Sequence, residues 1–221
     1  MKKISKDAYL KLIEGGLIIE KEFGAIKVLE APSGEIIKLF RRKRSFSSAV
    51  YYPYAKRFVD NAKKLTKLGI PTVVVKELLY CSAIKRHIVI YKKLEGEILR
   101  DALEKSTHKS IKIYQQFAEF LALLHGKGIY FRSIHLKNVL LLKTGELGLI
   151  DISDMKIRRQ PLNTKSRIRN FSHMLPYQVD KDLFKKQKDS FITAYLLASG
   201  LTDKQNKQII QDVNSLLLPP S

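Results

Sequence analysis

Between Leu17 and Phe40 the chain reads LIIEKEFGAIKVLEAPSGEIIKLF, with apolar and polar side chains alternating on either side of a Pro-Ser-Gly turn. A period of two belongs to a β-strand, whose successive side chains point to opposite faces, so the chain begins with antiparallel strands joined by a hairpin. A basic run, RRKRSFSS, follows, and then a helical pattern from about Tyr54 to Leu68, closed by Gly69 and Pro71. TVVVKELLYCSAIKRHIVIYKKLEG restores the strand pattern twice and stops at Gly96. The first part of the chain therefore reads as a small antiparallel sheet with one inserted helix.

From Ser110 the period changes. IKIYQQFAEFLALLHGKG puts Ile113, Phe117, Leu121 and Leu124 on one helical face, with Gly126 and Gly128 as a stop. NVLLLKTGELGLIDI is a short hairpin around a Thr-Gly-Glu turn, and RRQPLNTKSRIRNFSHML with the remaining residues reads as mainly helical and strongly basic. The final LLLPPS reads as a frayed tail. These patterns predict an α+β chain of two lobes that meet near Tyr91 to Gly96. Residues 1–91 form the sheet lobe; residues 92–221 form the helical lobe, with a loop and hairpin over 130–154.

Composition narrows the class. An apolar fraction of 45% over 221 residues supplies an ordinary globular core. No apolar run approaches the roughly 18 residues of a membrane span. A single cysteine, Cys81, cannot close an internal disulfide, and no signal-peptide pattern is present, so a reducing cytoplasm is the expected setting. The formal net charge of +20 calls for an anionic partner.

Three strings bear chemistry: GEIIKLF with Lys38, YFRSIHLKNVLL from Tyr130 to Leu141, and GLIDISD with Asp151. Alone, Lys38 is an edge-strand lysine snorkelling to water, and Asp151 is a turn or helix cap. In order, with a sheet before them and helices after, they resemble a protein-kinase fold. More closely the chain is similar to the lipopolysaccharide-kinase family, which includes bacterial Kdo and heptose kinases. Its YFRS and IDISD strings resemble most the small branch labelled toluene-tolerance proteins, and the likeness runs over about residues 20–180.

The resemblance implies ATP and Mg²⁺ as cofactors. It places Lys38 on the ATP α- and β-phosphates, held by Asp60 or its neighbour Asn61 where a helix glutamate is usual. It places Asn138 and Asp151 on Mg²⁺, which prefers hard oxygen ligands. Phe131 and Arg132 occupy the positions before the loop's proton acceptor, but Ser133 stands where that aspartate is expected. His135 falls where sugar kinases often carry histidine, and reads here as a loop brace. No G-x-G-x-x-G is present; EFGAIKVLEAPSG offers only Gly24 near the phosphates. Asp154 reads as a cap or as a base acting from another direction.

Two readings follow. One is a phosphotransferase acting on a lipopolysaccharide core sugar or related acidic glycolipid, with Ser133 and Arg132 facing the acceptor. The other is a pseudokinase, a nucleotide-binding or scaffolding module that keeps the shape without the base. Basic clusters at Arg41, Arg42, Lys43 and Arg44, at Lys56, Arg57, Lys63, Lys64 and Lys67, and at Lys156, Arg158, Arg159, Lys165, Arg167 and Arg169 favour an acidic acceptor, with peripheral contact to the anionic inner-membrane face. Nucleic acid is the less favoured partner, because aromatic residues are not interleaved with the basic runs as stacking platforms require.

Overall fold

The computed structural model of the chain describes residues 1–41, 52–105 and 110–217. Six strands make the first sheet: Lys2–Ile4 (β1), Leu17–Glu22 (β2), Ala25–Glu30 (β3), Glu35–Arg41 (β4), Val74–Cys81 (β5) and Arg86–Lys92 (β6). Their order is β1-β5-β6-β4-β3-β2, and every ladder is antiparallel except that of β1 with β5. β2 and β3 join through Phe23 and Gly24, which both take positive φ (50° and 75°). A two-residue turn of that hand matches the natural twist of a hairpin.

β4 lies inside this sheet, and its five residues Ile36 to Phe40 are all buried. Alternation divides them between two faces. Ile37 and Leu39 pack with Leu29, Leu79, Ile88, Ile90 and with Tyr9 of the helix Lys6–Ile13 (α1). On the other face Phe40 meets Phe58 of the helix Tyr54–Lys67 (α2) at 5.8 Å between ring centroids, and Phe58 meets Tyr91 at 5.2 Å. Ala55, Phe58, Val59, Ala62 and Leu65 form the buried stripe of α2. Lys38 shares the α2 face by parity and is 8% exposed, so it is an interior lysine rather than a snorkelling one on an edge. Two helices serve this sheet where the sequence suggested one. β1 had no strand signal to announce it, because three residues are too short to alternate.

The first compact unit comprises Met1–Leu94 together with Ile152–Asp154, and the second comprises Glu95–Asp151 and Met155–Ser221. The second unit holds the helices Leu99–Lys105 (α3), Ser110–Gly126 (α4), Thr164–Met174 (α5), Gln178–Lys185 (α6), Lys188–Ser199 (α7) and Asp203–Leu216 (α8). Its strands are Glu97–Ile98 (β7), Ile129–Phe131 (β8), Val139–Leu141 (β9), Leu147–Leu149 (β10) and Met155–Ile157 (β11). They form a three-stranded sheet β10-β9-β7 and a ribbon of β8 with β11. The fold class is thus α+β, an antiparallel-dominated sheet unit followed by a mainly helical one.

An aromatic core holds the helices together. Phe117 of α4 meets Phe191 of α7 at 5.7 Å, Phe191 meets Phe184 at 4.7 Å, and Phe171 of α5 meets Tyr195 at 4.9 Å. α8 starts in a capping box between Thr202 and Gln205. It runs through Leu216, and Leu217 is buried, so the first part of LLLPPS is helix end rather than frayed tail. Residues 218–221, like Arg42, Lys43 and Arg44, lie outside the described residues.

Candidate functional site: a braced loop and an acidic turn

In the second unit, the loop Arg132 to His135 leads from β8 into a 3₁₀ turn, Leu136–Asn138, and then into β9. β9 pairs with β10 in the register Val139↔Leu149, and Ile150 N–H donates to the Asn138 carbonyl at 3.0 Å. That bond extends the ladder by one step and sets Asp151 beside Asn138. The twelve residues between them are used up by a hairpin that returns to its start.

Asn138 is 8% exposed and its side chain has a defined orientation. Its Nδ2 donates to the Ser133 carbonyl at 3.0 Å and lies 3.3 Å from His135 Nε2. The amide nitrogen is therefore spent inside the loop, and Oδ1 is the atom left for a ligand. An Nδ2 donor requires His135 Nε2 to accept, which puts the ring proton on Nδ1, a buried atom with no hydrogen-bond partner. Burial lowers the His135 pKa from its ordinary value, with Asp180 opposing the shift. Through its contact with Asn138 the ring braces the loop.

The support beneath His135 comes from α6 and α3. Tyr177 stacks edge-on against His135 at 5.6 Å. Arg100 lies over the Tyr177 ring at 5.1 Å and grips Asp180 through two bonds of 2.6 and 2.7 Å. Lys137 covers the same ring at 5.8 Å. Sequence reasoning missed Arg100, Tyr177 and Asp180. The only available signal was an acidic residue among basic helices, which says nothing about its partner.

Asp151 has φ 51° and ψ 44°, the left-handed region that aspartate tolerates better than most residues. It stands at the N-cap of the 3₁₀ turn Ile152–Asp154, yet its side chain makes no capping bond. The capping alternative is therefore not its role here, and the residue is exposed. Asp154 closes the same turn rather than capping it. Ser133 is half-buried, and its hydroxyl makes no hydrogen bond among the described residues. Arg132 is exposed beside it.

In the first unit, the Lys38 ammonium lies 5.6 and 5.8 Å from the ring centroids of Phe40 and Phe58. Asp60 is engaged by Tyr52, whose hydroxyl donates to Oδ2 at 2.7 Å. Burial and that bond push the Tyr52 pKa up to about 12. Asn61, 5% exposed, donates to the Ile152 carbonyl at 2.7 Å. Gly24 has open space around the position of a Cβ, so its hairpin turn needs glycine for backbone conformation alone.

The chemistry of the donor set fits Mg²⁺. Asn138 Oδ1 and the Asp151 carboxylate are hard oxygens. Mg²⁺ commonly takes one or two carboxylates and fills its remaining positions with phosphate oxygens and water. Among the described residues no group of three or more His, Cys, Asp or Glu is poised to hold a metal.

A sheet unit followed by a helical unit that carries this loop and hairpin is a protein-kinase-like arrangement. The family model described as "Lipopolysaccharide kinase (Kdo/WaaP) family" matches residues 32–195, and the chain belongs to that family. No curated protein sequence matches it. Among solved structures, WbdD with a kinase inhibitor shares 17% identity at a TM-score of 0.48, over 84% of this chain and 42% of that one. A structure of WbdD described as a bifunctional kinase-methyltransferase shares 16% identity at a TM-score of 0.46, over 81% and 45%. The chain spans less than half the length of those structures.

Proposed function

We infer that the protein is an ATP-dependent phosphotransferase acting on a hydroxyl of a lipopolysaccharide core sugar or a related acidic glycolipid. The observation that supports this reading most is the Ile150–Asn138 backbone bond, which brings the residue before Asp151 onto Asn138 at the end of a hairpin. Asn138 and Asp151 are the residues assigned to Mg²⁺, and Lys38 is assigned to the nucleotide phosphates. Bound Mg²⁺ would supply charge neutralisation for the transferring phosphoryl group. His135 keeps Asn138 oriented, and Arg132 attracts the anionic acceptor.

Ser133 orients the acceptor hydroxyl by hydrogen bonding but takes no proton at neutral pH. A general base contributes about 10²–10⁴ in rate, or about 3–5 kcal/mol of barrier. Phosphoryl transfer passes through a loose transition state, in which positioning and electrostatics dominate. Transfer without the base is then slow rather than absent. The same serine favours a second reading, a pseudokinase that binds nucleotide as a scaffold at the membrane face. Among the described residues no helix is long and apolar enough to cross a membrane.

Thermal unfolding with ATP, with and without Mg²⁺, tests the site. A ligand at 100 times its Kd stabilises by about 2.7 kcal/mol, so wild type gains a Mg²⁺-dependent rise in Tm that Asp151→Ala loses. No Mg²⁺-dependent rise in wild type sinks the nucleotide site. Incubation with labelled ATP and lipopolysaccharide core fragments then separates the two readings: label on the saccharide supports the transferase, and binding without transfer supports the scaffold. Ser133→Asp raises turnover if residue 133 faces the acceptor hydroxyl; unchanged turnover in a folded variant removes Ser133 from that role.

A further inference from the structure

The ribbon of β8 and β11 has two unlike faces. Its register pairs Tyr130 with Lys156 and Phe131 with Met155. Residues directly opposite on a ladder point the same way. Ile129, Phe131 and Met155 are therefore turned into the core, where all three are buried. The other face carries Tyr130 and Lys156, and Arg132 and Arg158 directly follow the two strands. α5 meets this face with Lys165 and Arg169, one turn apart on the same side of the helix. Two bonds pin the helix there: Asn170 Nδ2 donates to the Phe131 carbonyl at 2.7 Å, and Tyr130 Oη lies 3.1 Å from His173 Nε2.

The result is a cavity of about 300 Å³ lined by Tyr130, Arg132, Lys156, Arg158, Lys165, Ser166 and Arg169. Five of these are cations and none is a carboxylate. Among the described residues, Lys156, Arg158, Lys165 and Arg169 make no ion pair. Arg158 is turned toward the helix by a 3.4 Å contact with the Ser166 hydroxyl. Arg167, grouped with these cations by sequence, belongs elsewhere: it is 3% exposed and donates to the Leu162 carbonyl and to Tyr195. Like charges one helical turn apart cost stability, and the convergence of Lys156, Arg158, Lys165 and Arg169, which make no ion pair among the described residues, is costly unless an anion enters. Guanidinium forks match phosphate oxygens in pairs.

We propose that this cavity is a recognition site for a phosphomonoester carried by the saccharide acceptor. The proposal rests on the phosphotransferase reading for the word acceptor, and on the cavity alone for the phosphate. A volume of about 300 Å³ stands at the small end of ligand pockets, room for one sugar with its phosphate. An earlier phosphoryl transfer must then have marked the acceptor before this protein acts on it.

Calorimetric titration of the full chain at fixed ionic strength tests this, using glucose 6-phosphate, glucose and inorganic phosphate as probes. Wild type binds glucose 6-phosphate more tightly than inorganic phosphate and does not bind glucose. Arg158→Gln with Arg169→Gln weakens glucose 6-phosphate about tenfold or more, while the Mg²⁺-ATP rise in Tm persists. Lys165→Gln, a milder change at the same wall, weakens it in the same direction should the double variant fail to fold. Unchanged affinity in either folded variant overturns the site. So does displacement of the sugar phosphate by ATP, tighter cavity-dependent binding of a single-stranded oligonucleotide, or equal affinity for inorganic phosphate. Sugar-phosphate binding with no nucleotide-dependent rise in Tm sinks the phosphotransferase reading and leaves the anion site standing.

Discussion

His125 and Asp180 are buried polar residues whose partners are fully accounted for. His125 Nε2 donates to Asn170 Oδ1 at 3.1 Å, since the Asn170 amide nitrogen is committed to Phe131. Its Nδ1 accepts from the Tyr195 hydroxyl at 2.8 Å, and that hydroxyl accepts in turn from Arg167. Burial drives the His125 pKa down to about 3, with the Arg167 charge adding to the shift. The unfolded chain takes up a proton near pH 6.5, which the folded chain refuses until about pH 3. Stability from this residue is complete above pH 6.5 and is lost as pH falls, at most about 1.4 kcal/mol per pH unit. His125→Gln flattens the Tm-versus-pH curve between about pH 6.5 and 4 relative to wild type; parallel curves refute the assignment. Asp180 is fully buried against Arg100. Asp180→Ala leaves a guanidinium without its partner and costs about 3–5 kcal/mol in denaturant unfolding; a loss under 1 kcal/mol shows that the pair is not buried in solution. The place of Asn138 and Asp151 at the two ends of one hairpin was legible in the sequence, because a hairpin is local. Arg100 and Asp180 were not, because 80 residues separate them and charge carries no address. Asp60, the sole carboxylate between Lys38 and Lys76 in sequence, is engaged by the Tyr52 hydroxyl.

At the scale of elements, alternation announced the strands of the first sheet and a 3.6-residue period announced α2 and α4. What that reading lacked were short pieces held by distant ones: β1 against β5, β7 against β9, and β8 against β11. Gly128 shows the difference. The sequence marks it as the stop of α4, but its φ of +72° brings the chain under the segment that follows β11. Its carbonyl accepts from Arg158 N–H at 3.0 Å, and a Cβ there would stand 2.5 Å from the carbonyl oxygens of both Arg158 and Gln160. Those are backbone atoms with little freedom to yield. Gly128→Ala therefore costs at least the about 1–3 kcal/mol of a forced left-handed residue, and moves Arg158 out of the basic cavity. A denaturation midpoint equal to wild type would refute this close approach.

Over the whole molecule, composition supplied a net charge of +20 but not its distribution. The cations are not a uniform coat: Lys38 and Arg167 are interior, while Lys156, Arg158, Lys165 and Arg169 converge on one cavity. Self-repulsion at this net charge opposes compaction and is screened by salt, with a Debye length of about 10 Å at 0.1 M. Sodium chloride raised from low to physiological concentration should raise Tm; a fall would mean that attractive ion pairs outweigh the repulsion. The first unit, finally, is not a continuous stretch of chain: it completes itself with Ile152–Asp154, borrowed from the far side of the helical sequence. A gene fragment ending at Leu94 would encode every strand of the sheet and still deprive Asn61 of its acceptor at Ile152. Synthesis from the N-terminus can therefore form that bond only after the downstream turn has emerged.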